Sequence, residues 1–268
     1  MKEINLVYMV AGMSSRFGGK IKQFAKVGPN NSTLIEYSLQ QALPAGFSKI
    51  IFIVGKMTEI PFKEMFGNNY KGIPVEYSLQ TFDETTRDRP RGTVDALCSA
   101  KEIIDGPYIV CNGDDIYGSQ AFKILVDHLN NSEESALVGY PLKNVLPNHG
   151  TVNRGILRLD HNNYIERVEE ATGISKDTLN QFGLILDQDL CNMNIFAIHT
   201  DTINKLDNTL TIFKNSNIGD RKIECYLPVE LPKVGKVKVY TTQDPRFGVT
   251  NPEDEEIVKK QIEEYENQ

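Results

Sequence analysis

The chain has 268 residues, of which 40% are hydrophobic, and a formal net charge of −7. This length allows a substantial buried core, and an acidic chain without a long Lys/Arg run is a poor candidate for sequence-independent binding to nucleic acid or to an anionic membrane. Any phosphate that it binds must therefore be held by a local group of residues.

The first half of the chain alternates between two kinds of segment. Short β-branched and aromatic runs bounded by Gly, Pro, Asn or Asp predict strands, and segments with helical spacing of apolar residues lie between them. Thr33 and Glu36 have the spacing of a capping box, which predicts a helix start. The alternation predicts an α/β fold with a doubly wound, mostly parallel sheet. The predicted strands are 4–10, 49–54, 75–79, 108–111 and 136–139, and the predicted helices are 33–43, 58–66, 93–104 and 121–129.

The pattern changes after about residue 140. Paired strand-like pieces at 155–159 and 164–168, followed by a strand at 193–198, predict a β-rich insertion over the sheet. The tail 252–265 carries Ile257, Val258 and Ile262 at helical spacing, which predicts a final amphipathic helix. Since no linker is evident, we expect a single domain over 1–268, with halves of about 1–140 and 141–268.

Cysteine usage and the N-terminus bear on the cellular compartment. The four cysteines lie far apart, without the spacing of a structural zinc site, so we expect reduced and mostly buried thiols. The N-terminus lacks a signal-peptide pattern, and no apolar run reaches membrane-spanning length. These features predict a cytoplasmic protein, and they carry no signal for an oligomeric state.

The loop after the first predicted strand, residues 11–23, is rich in small residues and also contains Arg16, Lys20 and Lys22. Small residues let backbone N–H groups close around phosphate oxygens, and the basic side chains add positive charge. A triphosphate would fit such a loop. It matches neither the Walker A pattern nor the Gly-x-Gly-x-x-Gly pattern of dinucleotide folds. A flexible loop with solvated basic residues is the alternative.

Two further segments are candidates for a functional site. Gly92 and Thr93 open the third predicted helix, and taken alone they are more typical of an ordinary helix start. Asp114 and Asp115 follow the apolar run 108–111 at the edge where open α/β sheets bind ligands. Carboxylate oxygens are the ligands that Mg²⁺ prefers, although adjacent Asp residues also cap turns.

These three segments, in this order, resemble the motifs of the sugar-1-phosphate nucleotidyltransferase family. Gly12, Ser15, Arg16 and Lys22 match its first motif, whose second Gly is Met13 or Ser14 here. The resemblance implies a Rossmann-like, glycosyltransferase-A-like fold, with a β-rich insertion over the sugar site. It runs strongly to about residue 118 and weakly afterwards.

The resemblance also implies roles for individual residues. Arg16 and Lys22 would be catalytic, with Arg16 on the β- and γ-phosphates and Lys22 bridging the α-phosphate and the incoming sugar phosphate. Asp114 would hold Mg²⁺, with Asp115 in support. The implied nucleotide-binding residues are Ala11, Gly12, Met13, Ser14, Ser15, Gln80, Gly92 and Thr93.

In the second half, the resemblance places Gly155, Glu169 and Asn192 on the sugar. Many relatives carry a Lys two residues after that Glu, where this chain has Ala171. The second metal-binding Asp of the family corresponds to Gly248, and Asp244 is the candidate substitute.

The implied reaction joins an NTP, with UTP favoured, to a sugar 1-phosphate, either N-acetylglucosamine 1-phosphate or glucose 1-phosphate. The products are an NDP-sugar and pyrophosphate. One alternative is a cytidylyltransferase acting on a non-sugar phosphate. Another is a catalytically inactive nucleotide-binding regulatory protein. The charged segment 81–90 is either a mobile flap over the base or a passive loop.

Overall fold

The computed structural model describes residues 2–12, 19–147, 150–249 and 254–267. The strands are β1 (Asn5–Met9), β2 (Lys49–Val54), β3 (Asn69–Tyr70), β4 (Ile73–Leu79), β5 (Tyr108–Asn112), β6 (Asp115–Ile116), β7 (Ser135–Pro141), β8 (Val152–Leu159), β9 (Ile165–Ile174), β10 (Leu190–Ile198), β11 (Val237–Thr241) and β12 (Phe247–Gly248). The α-helices are α1 (Leu34–Ala42), α2 (Glu59–Phe66), α3 (Thr93–Ser99), α4 (Ser119–Asn131), α5 (Thr200–Ser216), α6 (Leu227–Val234) and α7 (Asp254–Glu266).

A ten-stranded sheet forms the centre, with the path β11-β7-β10-β5-β1-β2-β4-β3 and with β8 and β9 added beside β10. The strand β1 is parallel to both β2 and β5, and β2 is parallel to β4. Because the chain leaves β1 toward β2 on one side and β5 lies on the other, the sheet has a switch point between β1 and β5. The predicted α/β class and mostly parallel sheet are confirmed.

Both faces of the sheet are covered by helices. Along β1, Leu6 and Tyr8 pack into one core with α1, α2 and α4. Val7 points the other way, into a second core with α3, α5 and α6. This alternation follows from the two-residue period of a strand, and burial on both faces explains why the inner strands read as continuous apolar runs.

The start of α1 agrees with its sequence signature. Thr33 Oγ1 accepts a hydrogen bond from the Glu36 backbone N–H at 3.3 Å, and Glu36 Oε2 accepts one from the Thr33 N–H at 2.8 Å. This reciprocal pair satisfies two N–H groups that the helix leaves open. The predicted capping box is confirmed.

The second half adds strands on both sides of β10. This strand runs antiparallel between β5 and β7, and β11 extends the sheet beyond β7 in parallel. The hairpin β8–β9 pairs with β10 through Gly155 opposite Asn192 and Ile156 opposite Cys191. The hairpin is the predicted β-rich insertion, and it lies beside the strand that joins the two halves.

Some elements differ from their predictions. The helix predicted over 93–104 ends at Ser99, because the following residues form tighter turns, with Ala100 N–H donating to Leu97 O at 3.0 Å and Ile103 N–H to Ala100 O at 3.1 Å. The helices α5 and α6 and the strand β11 were not predicted from sequence patterns.

The C-terminal helix α7 packs beside the start of α1, as its spacing predicted. Its apolar side buries Val258 and Ile262 in a small cluster with Leu34, Tyr37 and Val249. The cysteines are free thiols, buried except for the partly exposed Cys98. Within the described part of the chain, no helix is long and apolar enough to cross a membrane.

Candidate active site

The ends of β1 and β5 bring the two main motifs together. Gly113 follows β5, and its N–H donates to the Met9 carbonyl oxygen at 3.1 Å. A Cβ at Gly113 would lie 2.3 Å from Val10 Cγ1, so only glycine allows this approach. The approach places Asp114 beside the chain that leaves β1.

Lys22 and Asp114 form an ion pair at this point. Each side chain is 23% exposed, so the pair is mostly buried but still open to solvent near the ends of β1 and β5. Burial raises the pKa of Asp114 above its ordinary value, as does the charge of Asp115, while Lys22 opposes both. A nearby cation stabilises the ionised form of such a carboxylate, and Lys22 supplies that cation in the structure.

Asp115 has a separate set of partners. It pairs with Arg246, accepts a hydrogen bond from Asn112 Nδ2 at 3.1 Å, and its side chain is only 6% exposed. The Tyr117 hydroxyl lies 3.4 Å from the same carboxylate and donates to the Met193 carbonyl oxygen at 2.9 Å. Asp115 is therefore held in place from several directions and links the end of β5 to β10.

The region of the second metal-binding Asp of the family is built differently in this chain. Gly248 in β12 lies opposite Asp115, and a Cβ there would meet Arg246 Nη2 at 2.5 Å and Asp115 Oδ1 at 2.6 Å. The candidate substitute, Asp244, accepts a hydrogen bond from the Gln120 N–H at 2.7 Å. Asp244 therefore caps the first turn of α4.

A metal ion would have few protein ligands here. Among the described residues, no three or more His, Cys, Asp or Glu side chains are grouped so as to hold one. Asp114 offers a partly exposed carboxylate next to a phosphate-type loop, and Mg²⁺ is commonly held by one or two carboxylates together with substrate phosphates. The donor set fits that mode of binding, with Asp114 as the residue that would hold the ion.

Gln80 follows β4 and is buried, as a base-reading residue would be. Its Nε2 donates to Asp95 Oδ2 at 3.0 Å and lies 3.4 Å from the Gly92 carbonyl oxygen. Asp95 also pairs with Lys214 at 3.0 Å. Because an ionised carboxylate only accepts hydrogen bonds, Asp95 orients the amide nitrogen toward itself and leaves Gln80 Oε1 as an acceptor.

Gly92 has a structural reason for its identity. Its φ is +89°, and a Cβ would lie 2.7 Å from the Cys225 carbonyl oxygen. The glycine therefore allows two chain segments to meet, which is a structural role beside the nucleotide contact that the resemblance implies. Thr93 Oγ1 accepts a hydrogen bond from the Leu227 N–H at 2.8 Å, which ties α3 to α6.

On the sugar side, the strand register distinguishes two neighbouring glutamates. Gly155 pairs with both Asn192 and Glu170, and these residues share one face of the hairpin. Glu169 lies on the opposite face, where its carboxylate pairs with Arg158 and Arg167, each at 2.7 Å. The structure thus brings Glu170, instead of the predicted Glu169, together with Gly155 and Asn192.

The remaining predicted residues divide into two groups. Ala11 and Gly12 lie just beyond the carboxyl end of β1. The residue before them, Val10, still pairs with the neighbouring strand, because its N–H donates to the Ile53 carbonyl oxygen at 2.9 Å. Met13, Ser14, Ser15 and Arg16 lie outside the described residues.

Sequence reasoning missed Asp95, Glu170 and Arg246. The alternation of β9 carried a usable signal for Glu170, because neighbouring strand residues face opposite sides and only one can share a face with Gly155. Asp95 and Arg246 act through partners 15 and 131 residues away, which no local pattern reveals.

Comparisons with known proteins bear on the fold and the family. A crystal structure of HddC from Yersinia pseudotuberculosis complexed with GMP-PN has a TM-score of 0.64 and 15% identity, covering 96% of this chain and 99% of that chain. A putative glucose-1-phosphate thymidylyltransferase from Bacillus anthracis has a TM-score of 0.65 and 14% identity, with 97% and 95% covered. A UDP-glucose pyrophosphorylase from Acinetobacter baumanii has a TM-score of 0.66 and 15% identity, with 99% and 98% covered.

At these identities the structural similarity establishes the shared fold. A search of curated proteins finds no significant match. The sequence profile described as "Nucleotidyl transferase" matches residues 19–172, which is more than half of the chain and includes both Lys22 and Asp114. The chain therefore belongs to the nucleotidyl transferase family.

Proposed function

We propose that this chain is a Mg²⁺-dependent sugar-phosphate nucleotidyltransferase. It would convert UTP and a hexose 1-phosphate, either N-acetylglucosamine 1-phosphate or glucose 1-phosphate, to the UDP-sugar and pyrophosphate. The observation that carries the proposal is the Lys22–Asp114 pair at the switch point of the sheet. This pair places a cation and a metal-binding carboxylate together where open α/β sheets bind ligands.

The chemistry needs positioning and charge neutralisation more than it needs a side-chain nucleophile. An oxygen of the sugar phosphate attacks the α-phosphorus of the NTP in line, and pyrophosphate leaves. The attacking phosphomonoester is already largely dianionic at neutral pH, since its second pKa is about 6, so no general base is required. The residues must bring two anions together and offset their charge.

Lys22 would do this at the reacting centre. It pairs with Asp114, and phosphate oxygens bound in the crevice would compete for its ammonium group. Arg16 would hold the β- and γ-phosphates in the same loop. Mg²⁺ bound to Asp114 would supply charge neutralisation between substrate phosphates. The contacts of Asp115 with Arg246 and Asn112 would hold the adjoining backbone so that Asp114 keeps its position.

The preference for UTP rests on the orientation of Gln80. With its nitrogen held by Asp95, Gln80 presents Oε1 as an acceptor, which suits the N3–H donor of uracil or thymine. Cytosine has an acceptor at N3, so the same orientation disfavours it. This observation argues against the cytidylyltransferase alternative. Uracil and thymine differ by one methyl group, and guanine has a comparable N–H donor at N1, so this contact disfavours cytosine but does not separate uracil, thymine and guanine.

The hexose preference rests on the face shared by Gly155, Asn192 and Glu170. Polar groups that accept and donate hydrogen bonds suit sugar hydroxyls, and Asn192 is already fixed, with its Nδ2 donating to Asn194 Oδ1 at 2.8 Å. A Cβ at Gly155 would lie 3.0 Å from Val168 Cγ1, so the glycine lets the side chains of the paired strands approach closely on this face.

A pyrophosphate-release screen tests the proposal. The purified chain is assayed with four NTPs crossed with a panel of hexose 1-phosphates, with and without Mg²⁺, and phosphocholine and a polyol phosphate are included as other acceptors. We expect metal-dependent release with UTP and one hexose 1-phosphate. Asp114→Asn should lower turnover by roughly 100-fold or more, while Asp127→Asn, an exposed change on α4, should not.

The same screen separates the alternatives. Release only with CTP and a non-sugar phosphate would replace the proposal with the cytidylyltransferase alternative. Nucleotide binding without release from any pair, in a folded protein, would favour the inactive regulatory protein.

A further inference from the structure

Asp114 and Asp115 are adjacent carboxylates, and two such groups together can hold one divalent cation. In this chain both oxygens of the second carboxylate already have protein donors. Asp115 Oδ1 accepts a hydrogen bond from Arg246 Nη2, and Asp115 Oδ2 accepts one from Asn112 Nδ2 at 3.1 Å. The side chain of Asp115 is 6% exposed and that of Arg246 is 16% exposed. The charge of Asp115 is therefore matched by a protein cation in a nearly closed environment.

The pairing of β12 with β6 fixes Arg246 at this place. Gly248 of β12 lies directly opposite Asp115, and the ring of the preceding Phe247 lies 6.1 Å from that of Tyr265 in α7. A Cβ at Gly248 would lie 2.5 Å from Arg246 Nη2 and 2.6 Å from Asp115 Oδ1. The glycine thus leaves the space that the ion pair fills, and a side chain there would have to displace the pair.

The two ion pairs of the site differ in how readily they can open. In the Lys22–Asp114 pair each side chain is 23% exposed, so water can solvate the groups as they separate. The Arg246–Asp115 pair is more deeply buried, and its separation would leave two charges without compensation. An incoming cation can therefore compete for Asp114 far more readily than for Asp115.

We propose that Arg246 keeps Asp115 from binding metal, so that a single protein carboxylate, that of Asp114, holds the divalent ion. This inference rests on the metal ion of the proposed function and specifies its coordination. The guanidinium of Arg246 is permanently charged and takes the place of a cation at Asp115. Water and substrate phosphates would complete the shell of the ion at Asp114, and its binding there would release Lys22 to the phosphates.

Titration of the nucleotide-free chain with Mn²⁺, followed by electron paramagnetic resonance of the free ion, tests the inference. Arg246→Met replaces the cation by a neutral side chain and leaves Asp115 available beside Asp114. Two carboxylates bind a divalent ion more tightly than one, so we expect the dissociation constant to fall at least about 10-fold. Arg246→Lys retains the charge and should stay within about twofold of the unmodified chain. Mn²⁺ should also raise the Tm of Arg246→Met more than that of the unmodified chain.

A paired change identifies the carboxylate that binds the ion. Asp115→Asn combined with Arg246→Met removes both members of the buried pair, so this variant is informative even if Arg246→Met alone does not fold. We expect its dissociation constant for Mn²⁺ to lie within about twofold of that of the unmodified chain, whereas Asp114→Asn should abolish binding. Arg167→Met, a change of an exposed arginine in β9, is the matched control and should leave binding unchanged.

The outcomes separate this inference from the proposed function, because Mn²⁺ binding requires no turnover. If Arg246→Met binds Mn²⁺ no more tightly than the unmodified chain, or if the paired change loses the binding that the unmodified chain shows, the inference is overturned. Pyrophosphate release in the screen would leave the proposed function standing in that case. A tighter site in Arg246→Met without turnover by the unmodified chain would support the inference and overturn the proposed function.

Discussion

At the scale of single residues, the site is organised by opposite charges placed side by side. Asp114 and Asp115 are neighbours in sequence, yet each faces its own cation, Lys22 or Arg246. The first carboxylate is 23% exposed and the second 6%. The adjacent carboxylates therefore lie in different environments, and under the proposed function the first would exchange its partner for incoming ligands while the second stays fixed within the protein.

The orientation of Gln80 leads to a prediction about the base. Gln80→Ala removes the acceptor proposed for N3–H, so kcat/KM for UTP should fall about 10- to 100-fold, which corresponds to roughly 1–3 kcal/mol. The low activity with CTP should change little, because Gln80 offers cytosine no matched contact. Gln181→Ala, an exposed glutamine in the second half, is the control. A parallel loss with both nucleotides would show that Gln80 does not read the base.

Sequence reasoning at this scale succeeds where a role depends on position along the chain. Lys22 and Asp114 each follow a predicted strand, and the carboxyl ends of parallel strands meet at one edge of a sheet, so their proximity is predictable from the sequence. Such reasoning fails where a role depends on register. Glu170 rather than Glu169 shares a face with Gly155, and only the alignment of β8 with β9 shows this.

At the scale of elements, Arg87 and Arg221 connect the segment 81–90 to residues 220–223, an arrangement that we call the arginine clamp. Arg87 is 3% exposed and donates to the carbonyl oxygens of Asp220 and Ile223 at 2.8 and 2.7 Å. Arg221 reaches back to the Thr85 carbonyl oxygen at 2.7 Å and pairs with Asp88 at 2.8 Å. The segment is thus joined to the stretch before α6, and any movement over the base would carry both segments together.

The contacts of Arg87 in the arginine clamp lead to a prediction about the stability of the fold. Arg87→Ala removes a buried side chain and leaves two partly buried carbonyl oxygens without their donor, so the free energy of unfolding should fall by about 1–3 kcal/mol. Urea denaturation measures the loss, and amide hydrogen exchange should rise mainly in residues 81–90 and 218–224. Arg89→Ala removes an exposed arginine of the same segment and should cost at most about 0.5 kcal/mol. Equal effects of the two changes would contradict the clamp.

The elements also show the limit of prediction from local patterns. The helices α1, α2 and α4 follow from apolar spacing and caps. In contrast, α6 contains Pro228 near its start and Pro232 inside, residues that argue against a helix on propensity alone. Its burial of Leu227 and Leu231 against α3 and α5 outweighs that preference, and tertiary contacts of this kind have no signature in the local sequence.

At the scale of the whole molecule, the central sheet joins the two halves. Strand β10 from the second half pairs with β5 of the first half on one side and with β7 on the other. Neither half can therefore complete its sheet alone. This arrangement favours a single cooperative unit, and the single domain expected from the sequence stays a prediction that unfolding measurements can test.

Two native thiols can test this cooperativity. Cys111 in β5 and Cys191 in β10 are both fully buried, one in each half. In a urea titration with thiol modification followed by mass spectrometry, we expect both cysteines to become reactive with the same midpoint, because each half depends on the other. Separate midpoints would show that the halves unfold independently.

The measurement that tests the central claim most directly is mass-spectrometric detection of the joined product. The chain is incubated with UTP, Mg²⁺ and N-acetylglucosamine 1-phosphate or glucose 1-phosphate, and Lys22→Ala is compared with Lys26→Ala, an exposed lysine four residues away. We predict a UDP-sugar from the unmodified chain and from Lys26→Ala, with roughly 100-fold or greater loss in Lys22→Ala. Absence of a UDP-sugar from the folded, unmodified chain, or equal yield from Lys22→Ala, would contradict the account.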